Sequence, residues 1–207
     1  MNLKYLITKP WRIPEIAIAK LPYFRFIHET SDYQNRVNFQ IWFRQKVLNR
    51  GGNRDAYWPV SEYSQVFNPE KISIGVDVNP GLMKGCYIQG RGGIKIGDFT
   101  QIAPNVGIIS GNHVASDLRK HDDHPVTIGA YCWIGMNSVI LPGVTLGDFT
   151  VVGAGSVVTK SFPDGFQVIA GNPARQLRRV NPRECIRHDV QHRYVGYYRE
   201  HKRASRG

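Results

Sequence analysis

The 207-residue chain has little cysteine, little acid relative to base, and no long apolar run. Three cysteines, Cys86, Cys132 and Cys185, are too few and too scattered to form a disulfide framework, which fits a reducing compartment. No apolar stretch approaches the roughly 20 residues needed to span a bilayer, and the N-terminus lacks the apolar core and small-residue cleavage site of a secretory signal. The expected location is therefore the cytoplasm. Sixteen acidic residues against 27 basic ones leave a net charge of +11, which points to anionic partners. A hydrophobic content of 42% is enough for a continuous core in one repeat domain with appendages.

What the chain does have is a period. Every sixth residue from Ile128 is aliphatic: Ile128, Ile134, Ile140, Leu146, Val152 and Val158. Four residues after each rung comes a further small or apolar side chain, at Cys132, Ser138, Val144, Thr150, Ser156 and Phe162, and glycines follow four rungs at Gly129, Gly135, Gly147 and Gly153. This spacing matches neither an α-helix nor an alternating strand. It is the hexapeptide pattern of a parallel β-helix, in which about eighteen residues make one triangular coil. One coil leaves both of its edges unpaired, so the pattern must repeat.

Away from this register the chain divides into three parts. Residues 1–60 form an N-terminal arm and helix, 61–180 the β-helix, and 181–207 a basic tail. The first 30 residues mix aromatic and basic side chains with Pro10, Pro14 and Pro22, and would pack on the solenoid or a neighbouring subunit, or else lie on an anionic membrane. Ser31 or Asp32 is the expected N-cap and Gly51 the stop of a helix with Val37, Ile41, Val47 and Leu48 partly on one face, capping the first coil. Ile74-Gly75 carries the repeat signature, but Ile96 lies off register, which implies an insertion around 79–85. The ladder resumes at Ile96, Ile102 and Ile108, then breaks. Residues 112–125, with His113, His121 and His124 among many charges, are too polar for a coil and form an ejected loop, the usual place for function on a rigid repeat scaffold.

The segments Ile102-Ala103-Pro104-Asn105-Val106, His113, Trp133-Ile134-Gly135, Gly153-Ala154-Gly155-Ser156-Val157-Val158-Thr159-Lys160 and Ala170-Gly171-Asn172-Pro173-Ala174 resemble, in order and spacing, the hexapeptide-repeat O-acetyltransferases. They are most similar to the galactoside, maltose and polysaccharide enzymes, over about residues 72–180. The resemblance implies a left-handed β-helix, a homotrimer with active sites between subunits, and acetyl-coenzyme A as donor. His113 matches the family's catalytic histidine, a residue type suited to taking a hydroxyl proton near neutral pH. Asn105 matches an asparagine in the acceptor pocket, although a turn-forming asparagine is ordinary at a corner. Trp133, Met136, Ala154, Thr159 and Lys160 would line the coenzyme channel, with Met136 standing where the galactoside enzymes have serine. Lys160, Arg175, Arg178 and Arg179 form a basic cluster fit for phosphates. No cysteine or serine is placed as a nucleophile, since Cys132 falls on an inward position, so direct transfer is expected. The acceptor implied is a hydroxyl of a sugar or polysaccharide precursor, with an amino-sugar nitrogen as the chief alternative. The Tyr57-Trp58-Pro59 segment would stack on a sugar or pack on the first coil.

Two other classes share the solenoid. A γ-type carbonic anhydrase would bind zinc through histidines such as His113, His121 and His124, but those enzymes place ligands on the coils of two subunits, and no metal is expected here. A non-catalytic scaffold would not need His113, Trp133 and Lys160. The basic tail, with Arg183, Arg187, His188, Arg193, Arg199, Lys202, Arg203 and Arg206, carries no nucleic-acid reading motif and would pack on the trimer or meet an anionic acceptor or membrane.

Overall fold

The computed structural model describes residues 18–200. Its centre is a three-faced prism of short parallel strands. One face holds Ile72–Ile74, Ile94–Ile96, Val126–Ile128 and Thr145–Leu146. The second holds Gln101–Ile102, Trp133–Ile134, Thr150–Val152 and Gln167–Gly171, closed by the antiparallel strand Ala174–Arg179. The third holds Gln65–Phe67, Tyr87–Gln89, Gly107–Ile109, Val139–Ile140 and Val157–Val158. Strands pair coil on coil: Ile128 beside Leu146, Ile134 beside Val152, Ile140 beside Val158, each eighteen residues apart.

The expected ladder is the core. All six rungs from Ile128 to Val158 are 0 or 1% exposed, and Cys132, Ser138, Val144, Thr150 and Ser156 are buried beside them. The polar members are satisfied within the wall: Thr150 Oγ1 donates to the Gly147 carbonyl at 2.7 Å and Ser138 Oγ to that of Gly153 at 3.0 Å. The glycine after a rung is a packing requirement, because a Cβ on Gly129 would come within 2.5 Å of the Asp148 nitrogen in the next coil.

The corner between the first and second faces departs from what residue preference suggests. Phe99, Tyr131, Phe149 and Phe166 all take left-handed backbone, with φ of 59, 57, 55 and 47°, a conformation that bulky residues rarely adopt. Their rings stack successively at 5.1, 4.7 and 5.1 Å, so the stacking of each coil on the next offsets the backbone strain. The tail lies on this column. Arg187 sits over Tyr131 and Phe149, and the His188 N–H donates to the Tyr131 hydroxyl at 3.0 Å.

The N-terminal helix begins later than expected. Asn38, rather than Ser31 or Asp32, is the N-cap of Phe39–Trp42, its side chain accepting from the Ile41 N–H at 2.9 Å. Buried Tyr33 and Val37 instead anchor the preceding segment. The helix then widens into a π-helical turn, Phe43–Val47, which rotates the following residues off the 3.6-residue stripe and leaves Val47 and Leu48 exposed. It does cover the first coil. Buried Gln45 donates to the carbonyls of Asn53, Ala56 and Trp58 at 3.0, 3.2 and 2.9 Å. Trp58 is fully buried and its indole N–H donates to Pro80 at 2.8 Å, so it packs on the coil and is not offered to a sugar.

The described part of the tail packs back on this cap. Tyr194 donates to Glu29 at 2.6 Å and Tyr197 to Gln45 at 2.7 Å, while Arg193 pairs with Asp98 and Glu200 at 2.8 and 2.6 Å. The arm before residue 18 and the tail beyond residue 200 lie outside the described residues. Among the described residues no helix is long and apolar enough to cross a membrane.

Candidate active site

The register step that marked an ejected loop is a β-hairpin. Gly111–Val114 pairs antiparallel with Asp117–Asp123, and it stretches one coil so that Ile102 lies beside Ile134, 32 residues away. The hairpin leaves the corner between the third and first faces, where buried Ser110 accepts at its carbonyl from the His124 N–H at 2.9 Å. Arg91 ties its base through Asp123 at 2.9 Å.

His113 stands exposed on the first hairpin strand, with Nδ1 2.6 Å from the Leu118 carbonyl oxygen. A carbonyl only accepts, so Nδ1 carries the hydrogen, and in the neutral ring Nε2 presents its lone pair outward. That is the arrangement of a proton acceptor. His121 lies directly across the hairpin, its ring centroid 4.5 Å from that of His113, and His124 Nε2 pairs with Asp122 at 3.0 Å. Among the described residues no group of three or more His, Cys, Asp or Glu side chains is arranged to hold a metal ion.

The other sequence-selected residues lie at three further places. Asn105, Met136 and Ala154 occupy successive levels of the corner between the second and third faces, linked by the Gly155 N–H donating to the Met136 carbonyl at 2.8 Å and that of Asn137 to Pro104 at 3.2 Å. Asn105 is left-handed, with φ 58°, as are Asn137 at 59° and Gly155 at 69°, so the corner itself accounts for an asparagine there. Trp133 faces outward on the second face, beside Val151, followed by Val168 and then Arg178 in register; Arg175 pairs with Ala170 at the same edge. Thr159 and Lys160 sit at the other corner, below the hairpin. All nine selected side chains are exposed. Among the described residues no carboxylate pairs with Lys160, Arg175 or Arg178, whereas Arg179 is held by Asp164 at 3.2 Å. These three cations therefore have no countercharge among the described residues.

Within one chain these groups do not converge. Asn105, Met136 and Ala154 flank one edge of the third face, and His113, Thr159 and Lys160 the opposite edge. Cys132 is no candidate nucleophile: it is 2% exposed and burial pushes its thiol up to about 11.

The chain is a hexapeptide solenoid with an ejected hairpin that carries an exposed, tautomer-fixed histidine. A family profile described as Bacterial transferase hexapeptide (six repeats) matches residues 125–160. Galactoside O-acetyltransferase of Escherichia coli K12 is 47% identical over 95 residues, 44% of this chain and 46% of that protein. A galactoside acetyltransferase solved in complex with coenzyme A is 36% identical, with a TM-score of 0.51 over 67% of this chain and 70% of that one. A maltose O-acetyltransferase from Clostridium difficile 630 is 26% identical, with a TM-score of 0.53 over 84% of this chain and 90% of that one. The chain belongs to the hexapeptide-repeat O-acetyltransferase family, and its fold is that family's left-handed parallel β-helix. It spans about half the length of the curated relatives it matches.

Proposed function

We propose that this protein transfers an acetyl group from acetyl-coenzyme A to a hydroxyl of a sugar or polysaccharide precursor. The carrying observation is the His113 Nδ1 to Leu118 carbonyl hydrogen bond, which leaves Nε2 as the base. Nε2 takes the acceptor hydroxyl proton as the oxygen attacks the thioester carbonyl. The tetrahedral intermediate collapses, expels the coenzyme A thiolate, and the imidazolium returns the proton to sulfur. Solved relatives named for galactoside and maltose support the sugar, and the coenzyme A complex supports the donor.

Trp133, Met136, Ala154 and Thr159 line the pantetheine channel in this reading, and Lys160, Arg175 and Arg178 meet the phosphates. Asn105 helps hold the acceptor. Because the two groups of residues flank opposite edges of one face, the site is completed between adjacent subunits of a homotrimer, the hairpin of one meeting the Met136 corner of the next. The protein works in the cytoplasm, where acetyl-coenzyme A is available. The test is thiol release from acetyl-coenzyme A in the presence of a sugar panel, with calorimetry of coenzyme binding: binding near one per subunit with sugar-dependent thiol release is expected, and absence of coenzyme binding removes the reading.

A further inference from the structure

A cavity of about 270 Å³ opens between the N-terminal helix and the entry coil, beside the Asn105 corner. Leu82, Ile41 and Val60 contribute apolar wall, and Tyr63, 63% exposed, forms an aromatic rim. Around this wall stand Arg44, Arg50 and Lys84, three cations against the single carboxylate of Glu62. Glu62 is shared by both guanidinium groups, at 2.8 Å from Arg44 and 3.4 Å from Arg50, so each keeps further N–H donors. Lys84 lies 4.9 Å from the Tyr63 ring centre, and among the described residues no carboxylate pairs with it. The cavity joins the acceptor side of the proposed site through the chain itself: the Asn105 N–H donates to the Lys84 carbonyl at 3.0 Å, and Gly85 packs against the Asn105 side chain.

We propose that this cavity selects an acidic acceptor, a sugar bearing a carboxylate or phosphate, with the anion held by Arg44, Arg50 and Lys84 and the ring against Tyr63. The chemistry is specific to that class. A neutral sugar gives the apolar wall and aromatic rim their contacts but leaves a net excess of two positive charges facing the cavity without a counterion, whereas a carboxylate or phosphate accepts charge-assisted hydrogen bonds from a guanidinium fork and an ammonium. Glu62 orients the two arginines without neutralising the set. The inference rests on the acetyltransferase reading and narrows its acceptor.

The test is calorimetric binding of glucose, glucuronic acid and glucose 6-phosphate to the full-length protein saturated with coenzyme A, repeated at higher salt and with Lys84→Gln and Arg44→Gln. At least tenfold tighter binding of the two anions than of glucose is expected, weakening with salt and shrinking several-fold in each variant, while coenzyme A affinity stays unchanged. Equal binding of all three, no binding of the anions, or a preference that survives both substitutions overturns the proposal. Failure of coenzyme A itself to bind strikes the underlying acetyltransferase reading instead.

Discussion

The imidazole of His113 and the backbone carbonyl of Leu118, five residues apart across the turn of one hairpin, meet at 2.6 Å. Because the acceptor is backbone, the ring's tautomer is set by the hairpin's own closure and does not depend on a second side chain. His113→Ala is expected to lower turnover by roughly 10² to 10⁴ while coenzyme A affinity is nearly unchanged. Steady-state kinetics with parallel calorimetry checks this. Unaltered turnover would remove His113 from the chemistry.

The coenzyme contact proposed for Lys160 predicts a different pattern. Its ammonium is exposed and lacks a carboxylate partner among the described residues, resting 5.6 Å from the Phe162 ring centre. Lys160→Ala should raise KM for acetyl-coenzyme A about tenfold, the size of one charge-assisted phosphate contact, with kcat largely retained. A loss confined to kcat would place Lys160 at the reacting atoms instead.

The repeat register was readable because it is local: a six-residue period from Ile128 to Val158 needs no knowledge of distant contacts, and all six rungs are buried. The hairpin was visible as a break in that count. Three features were not. Ser31, Asp32 and Asn38 have the same capping chemistry, and only the burial of Tyr33 and Val37 decides among them. Phe99, Tyr131 and Phe149 are corner residues against their own backbone preference; the eighteen-residue step from Tyr131 to Phe149 was the available signal. The return of Tyr194 and Tyr197 to Glu29 and Gln45 joins residues more than 150 apart, which no local pattern reports. For the site, sequence reasoning selected exposed groups on two corners and on the second face, but the cations Arg44, Arg50 and Lys84 looked like ordinary surface charge until the fold set them around one cavity.

The ladder makes a stability prediction. Ile134 is fully buried between Ile102 and Val152 in adjacent coils. Ile134→Ala should cost about 2 to 5 kcal/mol, since the stacked coils cannot collapse into the void without breaking register. Chemical denaturation measures it, and a loss below about 1 kcal/mol would mean the coils are less tightly coupled than their pairing indicates.

Asp77 introduces a pH dependence into the cap. Its Oδ2 accepts from the Gln34 N–H at 3.0 Å, while Oδ1 is buried and has no hydrogen-bond partner among the described residues, and burial pushes the carboxyl up from 3.8 to about 6. As pH rises between these values the unfolded chain releases the proton first, so this group's stability is full below about pH 4, falls through the window, and is lost above about pH 6. Two units correspond to at most about 3 kcal/mol. Relative to Asp77→Asn, the wild-type protein should therefore lose melting temperature between pH 4 and 7. A difference between the two that is the same at every pH would show that Asp77 does not titrate in this range.

Direct transfer and a covalent acetyl-enzyme make opposite predictions for Cys132. Its thiol is sealed in the core, donates to the Gly147 carbonyl at 3.3 Å, and is pushed up to about 11 by burial, so almost no thiolate exists near neutral pH. It points into the core, and an acetylated sulfur would have to be accommodated beside Thr100 and the Gly147 carbonyl of the next coil. Cys132→Ala should therefore leave turnover within about twofold and reduce stability by about 1 kcal/mol, as expected for deleting a small buried group. Rapid-quench mass measurement on the wild-type protein should find no acetyl adduct during turnover. Abolished turnover in a folded Cys132→Ala protein, together with an adduct of acetyl mass, would require the sulfur to take the acetyl group and would reassign His113 to activating it.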